Sequence, residues 1–98
     1  MKILNFRKFE KNTLRGFLEV ELPSGLCIRD LSYHVKNGSR WIGYPSKPYE
    51  KEDGSQSWVN QIWFEDKEVH NRFQRQLLAA LDEHFAMNRD EDPGDIPF

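Results

Sequence analysis

Apolar residues recur with a two-residue period over the first two-thirds of the chain, the signature of strands with one buried face. Leu4 and Phe6 share one parity and Asn5 and Arg7 the other, while Ile3 and Phe9 fall on the Asn5 side, so the first strand is apolar on both faces at its ends. After a polar break at Lys11-Asn12-Thr13, Leu14, Leu18, Val20 and Leu22 alternate with Arg15, Phe17, Glu19 and Glu21. Pro23-Ser24-Gly25 marks a turn, proline fixing φ and glycine permitting its positive values. The third run changes phase: Leu26 and Ile28 lie on one parity, Leu31, Tyr33 and Val35 on the other, and a β-bulge near Arg29-Asp30 would reconcile the halves. Asn37-Gly38 is the strongest hairpin signal in the sequence. A fourth strand is predicted over residues 40–45, a polar loop over 46–57 and a fifth strand over 58–64.

The period then becomes helical. Val69, Phe73, Leu77, Leu81 and Phe85 recur every four residues, joined by Leu78 and Ala80, and Asp66 can cap this helix with Glu68 well placed in its first turn. The stripe is read as sheet-packing core or as a dimer interface. Fraying is expected near Met87-Asn88, and the following residues, with Pro93, Gly94 and Pro97 and no periodicity, are expected to be disordered. The expected fold class is α+β: an antiparallel meander of four to five strands followed by one C-terminal helix, paired as a homodimer. Residues 1–87 form the expected nucleic-acid-binding domain, and 88–98 an acidic partner-recruiting tail.

Length and composition sharpen this picture. A 98-residue chain that is only 38% hydrophobic supports one small core, which pairing would supplement. Its net charge of −2 hides a strong asymmetry: residues 1–47 carry nine Lys or Arg against four Asp or Glu, while residues 48–98 carry five against twelve. Such a split is expected of a basic binding surface joined to an acidic tail. No apolar run approaches the roughly 20 residues of a membrane span. The opening MKILNFRKFE carries charges where a signal peptide is apolar, and Cys27 stands alone, so a reducing cytoplasm is expected.

Candidate enzyme chemistry is thin. His34, His70 and His84 show no metal-ligand spacing, no Ser, Cys or Lys sits in a nucleophile motif, and Gly38, Gly43 and Gly54 form no phosphate-cradling loop. Acid pairs such as Glu19/Glu21 and Glu65/Asp66 are ordinary for solvated strands and helix starts. Neither an enzyme nor a cofactor is expected. Thirteen residues are aromatic, however, and several interleave with bases: Phe6-Arg7-Lys8-Phe9, Arg15 with Phe17, Arg40-Trp41, and Tyr44 with Lys47. Single-strand binders combine these types, cations tracking phosphates while flat rings stack on unpaired bases. The candidates are Lys8, Arg15, Arg29, Lys36, Arg40 and Lys47 for phosphates, and Phe17, Trp41 and Trp58 for stacking.

The C-terminus is the most specific signal. The chain closes on Asp95, Ile96, Pro97 and Phe98, with Asp90, Glu91 and Asp92 upstream. This tip resembles that of bacterial single-stranded-DNA-binding proteins, an acidic stretch ending Asp-Ile-Pro-Phe, and four chance matches there have odds on the order of one in 10⁵. Pro93-Gly94 departs from the further acids usual in that family. The resemblance implies recruitment of replication, recombination and repair enzymes, and competition between tail and DNA for the basic face. Phe98 offers a ring and the terminal carboxylate together, a form suited to an apolar pocket with a basic rim.

The body lacks the strand-helix-strand pattern of the five-stranded barrel that usually precedes this tip. Ile28-Arg29-Asp30-Leu31 and Tyr44-Pro45-Ser46-Lys47 resemble the sporulation stage V protein G (septation) family, which implies a small antiparallel sheet, a C-terminal helix, dimerisation and nucleic-acid binding. The strands-then-helix order is similar to single-strand binders of the Whirly and positive-cofactor type. The leading expectation is a homodimeric single-stranded-DNA-binding protein of the bacterial cytoplasm or nucleoid, or of a phage, with affinity falling steeply with salt. The alternatives are a double-stranded-DNA-binding regulator of the septation type and a protein-interaction adaptor that binds no DNA.

Overall fold

A computed structural model describes residues 1–88, Asn88 by its backbone alone. The acidic tail segment with Asp90, Glu91, Asp92, Asp95, Ile96, Pro97 and Phe98 lies outside the described residues. Four antiparallel strands, β1 (Lys2–Lys11), β2 (Leu14–Glu21), β3 (Cys27–Lys36) and β4 (Ser39–Gly43), pair in chain order. A separate hairpin of β5 (Ser46–Glu50) and β6 (Gln56–Asn60) follows, then one helix, α1 (Lys67–Asn88). The class is α+β, and none of the described helical residues forms a helix long and apolar enough to cross a membrane.

The turns follow from residues that accept positive φ. Asn12 (φ 55°) closes β1 to β2, and Asn37 and Gly38 (50° and 81°) form the tight link from β3 to β4. Two bulges keep the apolar residues on one face. Between β2 and β3 the register passes from Leu18↔Leu31 to Val20↔Ile28, so Arg29-Asp30 faces one residue of β2, with Asp30 in the left-handed region at φ 64°. Ile28 thereby joins the face of Leu31 and Tyr33. A second bulge, at Leu4, lets Ile3 and Phe6 reach the same core from opposite parities, leaving Leu4 exposed.

That face is covered by α1. Leu77, Leu81 and Phe85 are buried with Ile3, Leu18, Val20, Leu31, Tyr33 and Ile42. Phe6, whose ring meets Phe85 edge-on at 4.9 Å, lies over Gly16, where a Cβ would clash with the ring and with the Arg7 carbonyl. Phe73 is half-buried against the cluster, whereas Val69, the first residue of the stripe, is exposed. The buried part of the stripe is therefore occupied by the chain's own sheet. Asp66 caps the helix as the sequence indicates, its Oδ1 accepting from the Glu68 and Val69 amides at 2.8 and 3.3 Å.

The region after β4 departs from the sequence reading. Residues 46–57, expected to be a loop, hold β5 and the start of β6, and the strand expected over 58–64 ends at Asn60. The turn signals are confined to residues 51–55, where Gly54 adopts φ 84° and Asp53 Oδ1 accepts from the Ser55 amide and hydroxyl at 2.9 and 2.6 Å. Pro48 is accommodated because a two-stranded ribbon has free edges.

Leu81→Ala is expected to cost about 2–5 kcal/mol in urea unfolding, since it opens a cavity at the centre of the helix–sheet contact. Val69→Ala should stay within about 0.5 kcal/mol.

Candidate nucleic-acid interface

The face of the four-stranded sheet opposite α1 is covered by no other element among the described residues. Alternation along the strands sends Arg7 and Phe9, Phe17 and Glu19, Ser32 and His34, and Trp41 and Gly43 to this side. Arg7, Phe17, Ser32 and Gly43 stand opposite one another in register across the four strands. Two ring pairs result. Phe9 and Phe17 lie 6.1 Å apart with the Arg7 guanidinium 5.2 Å from the Phe17 centroid, and His34 stacks on Trp41 at 5.3 Å, the planes 5° apart.

The second pair is held from behind. His34 Nδ1 is 3.0 Å from Thr13 Oγ1, and its Nε2 is 2.9 Å from Ser32 Oγ. Gly43 makes room, because a Cβ there would fall on Ser32 Oγ. Burial, and then the nearby positive charge of Arg15, push the His34 pKa below its ordinary value, so the ring is neutral at pH 7. Trp41 is 38% exposed, leaving ring surface for a planar ligand. Phe9 is exposed to 50%.

Cations surround these rings unevenly. Asn5, Arg7, Phe17, Glu19, Arg29 and Asp30 line an open depression of about 310 Å³ beside the β3 bulge. Arg29 Nε lies 3.2 Å from Glu19 Oε1, in a pair exposed enough for a phosphate to compete for the guanidinium. Arg15 donates to the carbonyls of Asn12 and Leu14 at 2.7 and 3.1 Å, and Lys36 shares the parity of His34 at the end of β3.

Other expected contacts lie elsewhere. Arg40, expected beside Trp41, sits on the opposite side of β4 because neighbouring strand residues alternate faces; it forms a two-pronged pair with Asp82 of α1, both N···O distances 2.6 Å, which raises its pKa further. Lys8 shares the parity of Phe6, its ammonium 4.0 Å from Glu10. Lys47 and Trp58 belong to the β5–β6 hairpin, on opposite faces of it. Tyr44 packs inward, its hydroxyl 2.9 Å from His70 Nδ1 and its ring against Phe64 and Phe73; burial raises its pKa.

Three contributors escaped the sequence reading: Arg7, Phe9 and His34. Arg7 and Phe9 stood in the aromatic–basic run Phe6-Arg7-Lys8-Phe9, and their shared parity opposite Phe6 was the available signal. His34 had none, since its role comes from a cross-strand partner seven residues away. Among the described residues no group of His, Cys, Asp or Glu is gathered in a way that could hold a metal ion.

A histidine whose folded pKa is lowered binds its proton more readily when unfolded, so it withdraws stability as pH falls below the ordinary histidine range, about 6.5. His34→Gln, which keeps polar contacts without titrating, is expected to flatten the decline in urea midpoint between about pH 7 and pH 5. An unchanged slope would contradict this. We found no match to a protein-family model, a curated protein or a solved structure.

Proposed function

We propose that this chain is a single-stranded-DNA-binding protein that stacks unpaired bases on the open sheet face and recruits replication, recombination and repair enzymes through its C-terminal tip. The observation that carries the reading is the set of rings on the uncovered face: half-buried Phe17 beneath Arg7 with exposed Phe9 beside it, and exposed Trp41 stacked on His34. Stacking needs flat apolar surface open to solvent and fixed in direction. Trp41 meets that need, its ring being presented on a β-strand and braced by a neighbour that is itself hydrogen-bonded at both ring nitrogens. Arg7, Arg15 and Arg29 are the cations best placed for phosphates. A broad face of rings favours unpaired bases over a duplex, which keeps its base planes inside its own stack.

Fluorescence anisotropy with labelled oligo(dT) tests this. Trp41→Ala should weaken binding by about 5- to 150-fold, the equivalent of about 1–3 kcal/mol for one stack. Arg40→Ala, on the helix side, should leave affinity within about 2-fold. With about three phosphates neutralised, log K should fall against log salt with a slope near −2. No binding at about 20 mM salt, or tighter binding to a duplex at matched salt, would overturn the assignment.

The tail's proposed role rests on the terminal Asp-Ile-Pro-Phe. Its test uses protein with no C-terminal tag. Deleting Phe98 is expected to abolish co-purification of genome-maintenance enzymes while leaving or tightening oligo(dT) binding, and equal loss of both would contradict the separation of roles.

A further inference from the structure

The depression beside the β3 bulge has a lining that phosphate binding alone does not explain. Two arginines, Arg7 and Arg29, are matched there by two carboxylates, Glu19 and Asp30, with Asn5 and the half-buried ring of Phe17 between them. Opposite charges in equal number leave no net charge to draw an anion in. Donors and acceptors set side by side suit instead a flat, neutral molecule that carries both, as a nucleobase does. The space, about 310 Å³, is at the low end of ligand-sized cavities, room for a single base rather than a run of them. Arg7, its guanidinium 5.2 Å from the Phe17 centroid, supplies a platform for a base to lie against.

The order of these groups is more specific than their number. Asn5 of β1 and Glu19 of β2 are partners in register, so their side chains are neighbours on the open face. A carboxylate beside a carboxamide offers two acceptors and then a donor, once the amide nitrogen turns to the ligand. Guanine presents the complement on its Watson–Crick edge: donors at N2 and N1, then the acceptor O6. Each other base of DNA sets a single donor position beside an acceptor and leaves one carboxylate oxygen unpaired, facing a carbonyl in the case of thymine. We infer that the depression is a guanine-selective subsite, Glu19 accepting from N1–H and N2–H, Asn5 donating to O6, and Arg7 lying against the base. The inference rests on the proposed binding of single-stranded DNA to this face. Arg29 holds Glu19 at 3.2 Å, but a pair with so exposed an arginine contributes little, and the base displaces it at small cost. Arg29 is then released to the phosphate beside that nucleotide, while Asp30 disfavours a phosphate in the place of the base.

Anisotropy with labelled oligomers of about eight nucleotides tests this, comparing oligo(dT) with the same oligomer carrying one central dG. The dG oligomer should bind about 5- to 150-fold tighter, the range for one bidentate base contact. Deoxyinosine in place of that dG deletes only the N2 amino group and is expected to remove most of the advantage, with the protein itself unaltered. Glu19→Gln should bring the dG and dT oligomers within about 2-fold of each other. Equal binding of dG and deoxyinosine, or a preference that survives Glu19→Gln, overturns the guanine assignment. Equal binding of dG and dT by the unaltered chain also overturns it, while leaving base stacking on the open face standing. No binding of any oligomer overturns the single-strand reading and this inference together. Free dGMP should compete far more weakly than the dG oligomer, and competition at equal affinity overturns the subsite's place in strand binding.

Discussion

The contact of Leu77, Leu81 and Phe85 with the concealed face of the sheet is the constraint on which the molecule depends. Four strands cannot hold together on backbone hydrogen bonds alone, because those bonds largely replace equally good bonds to water. Fully burying a side chain of this size contributes about 1.5–3 kcal/mol, and the helix delivers three of them to one spot. Their placement also decides what the opposite face can be. Once α1 shields one side, the other needs no further apolar cover, and each outward position is free to carry a residue chosen for another purpose.

The bulges turn that division into a sharp one. A strand with strict two-residue alternation would have sent either Ile3 or Phe6, and either Ile28 or Leu31, to solvent. The extra residue at Leu4 and the extra residue at Arg29-Asp30 let both members of each pair reach the core. The second bulge also sets Arg29 and Asp30 at the rim of the depression beside Phe17. Packing and candidate chemistry therefore share a cause: the irregularity that completes the core is the one that shapes the open face.

Where the sequence was legible, a local rule carried the information. The phase change between Ile28 and Leu31 could be resolved only by a bulge, Asn37-Gly38 could only turn, and Asp66 before a four-residue repeat could only cap. Legibility failed where the outcome depended on partners distant in the chain. Residues 46–50 are too polar and too rich in proline and charge to announce a strand, and they form one by pairing with residues 56–60. Arg40 and Trp41 are neighbours in sequence, which suggested one site, yet alternation places them on opposite sides of β4. His34 looked ordinary because nothing nearby in the chain reveals Trp41 across the hairpin or Thr13 at the start of the neighbouring strand.

The edges show what the open face must avoid. β4 ends the sheet on one side, and the Gln74 side chain closes it there, its amide donating to the Ile42 carbonyl while its oxygen accepts from the Ile42 amide, both at 2.8 Å. A helix side chain thus takes the place of a fifth strand, which explains why the chain after β4 turns away to pair with itself rather than extending the meander. On the other side, β1 bears Lys2, Lys8 and Lys11 and a bulge, both of which discourage strand addition. A sheet guarded at both edges while it exposes Phe9 and Trp41 on its face is protected against pairing through its backbone but not against stacking on its rings. For a small domain with few apolar residues to spare, leaving such rings uncovered forgoes stability that burial would have given, and a planar ligand is the occupant whose shape would recover it.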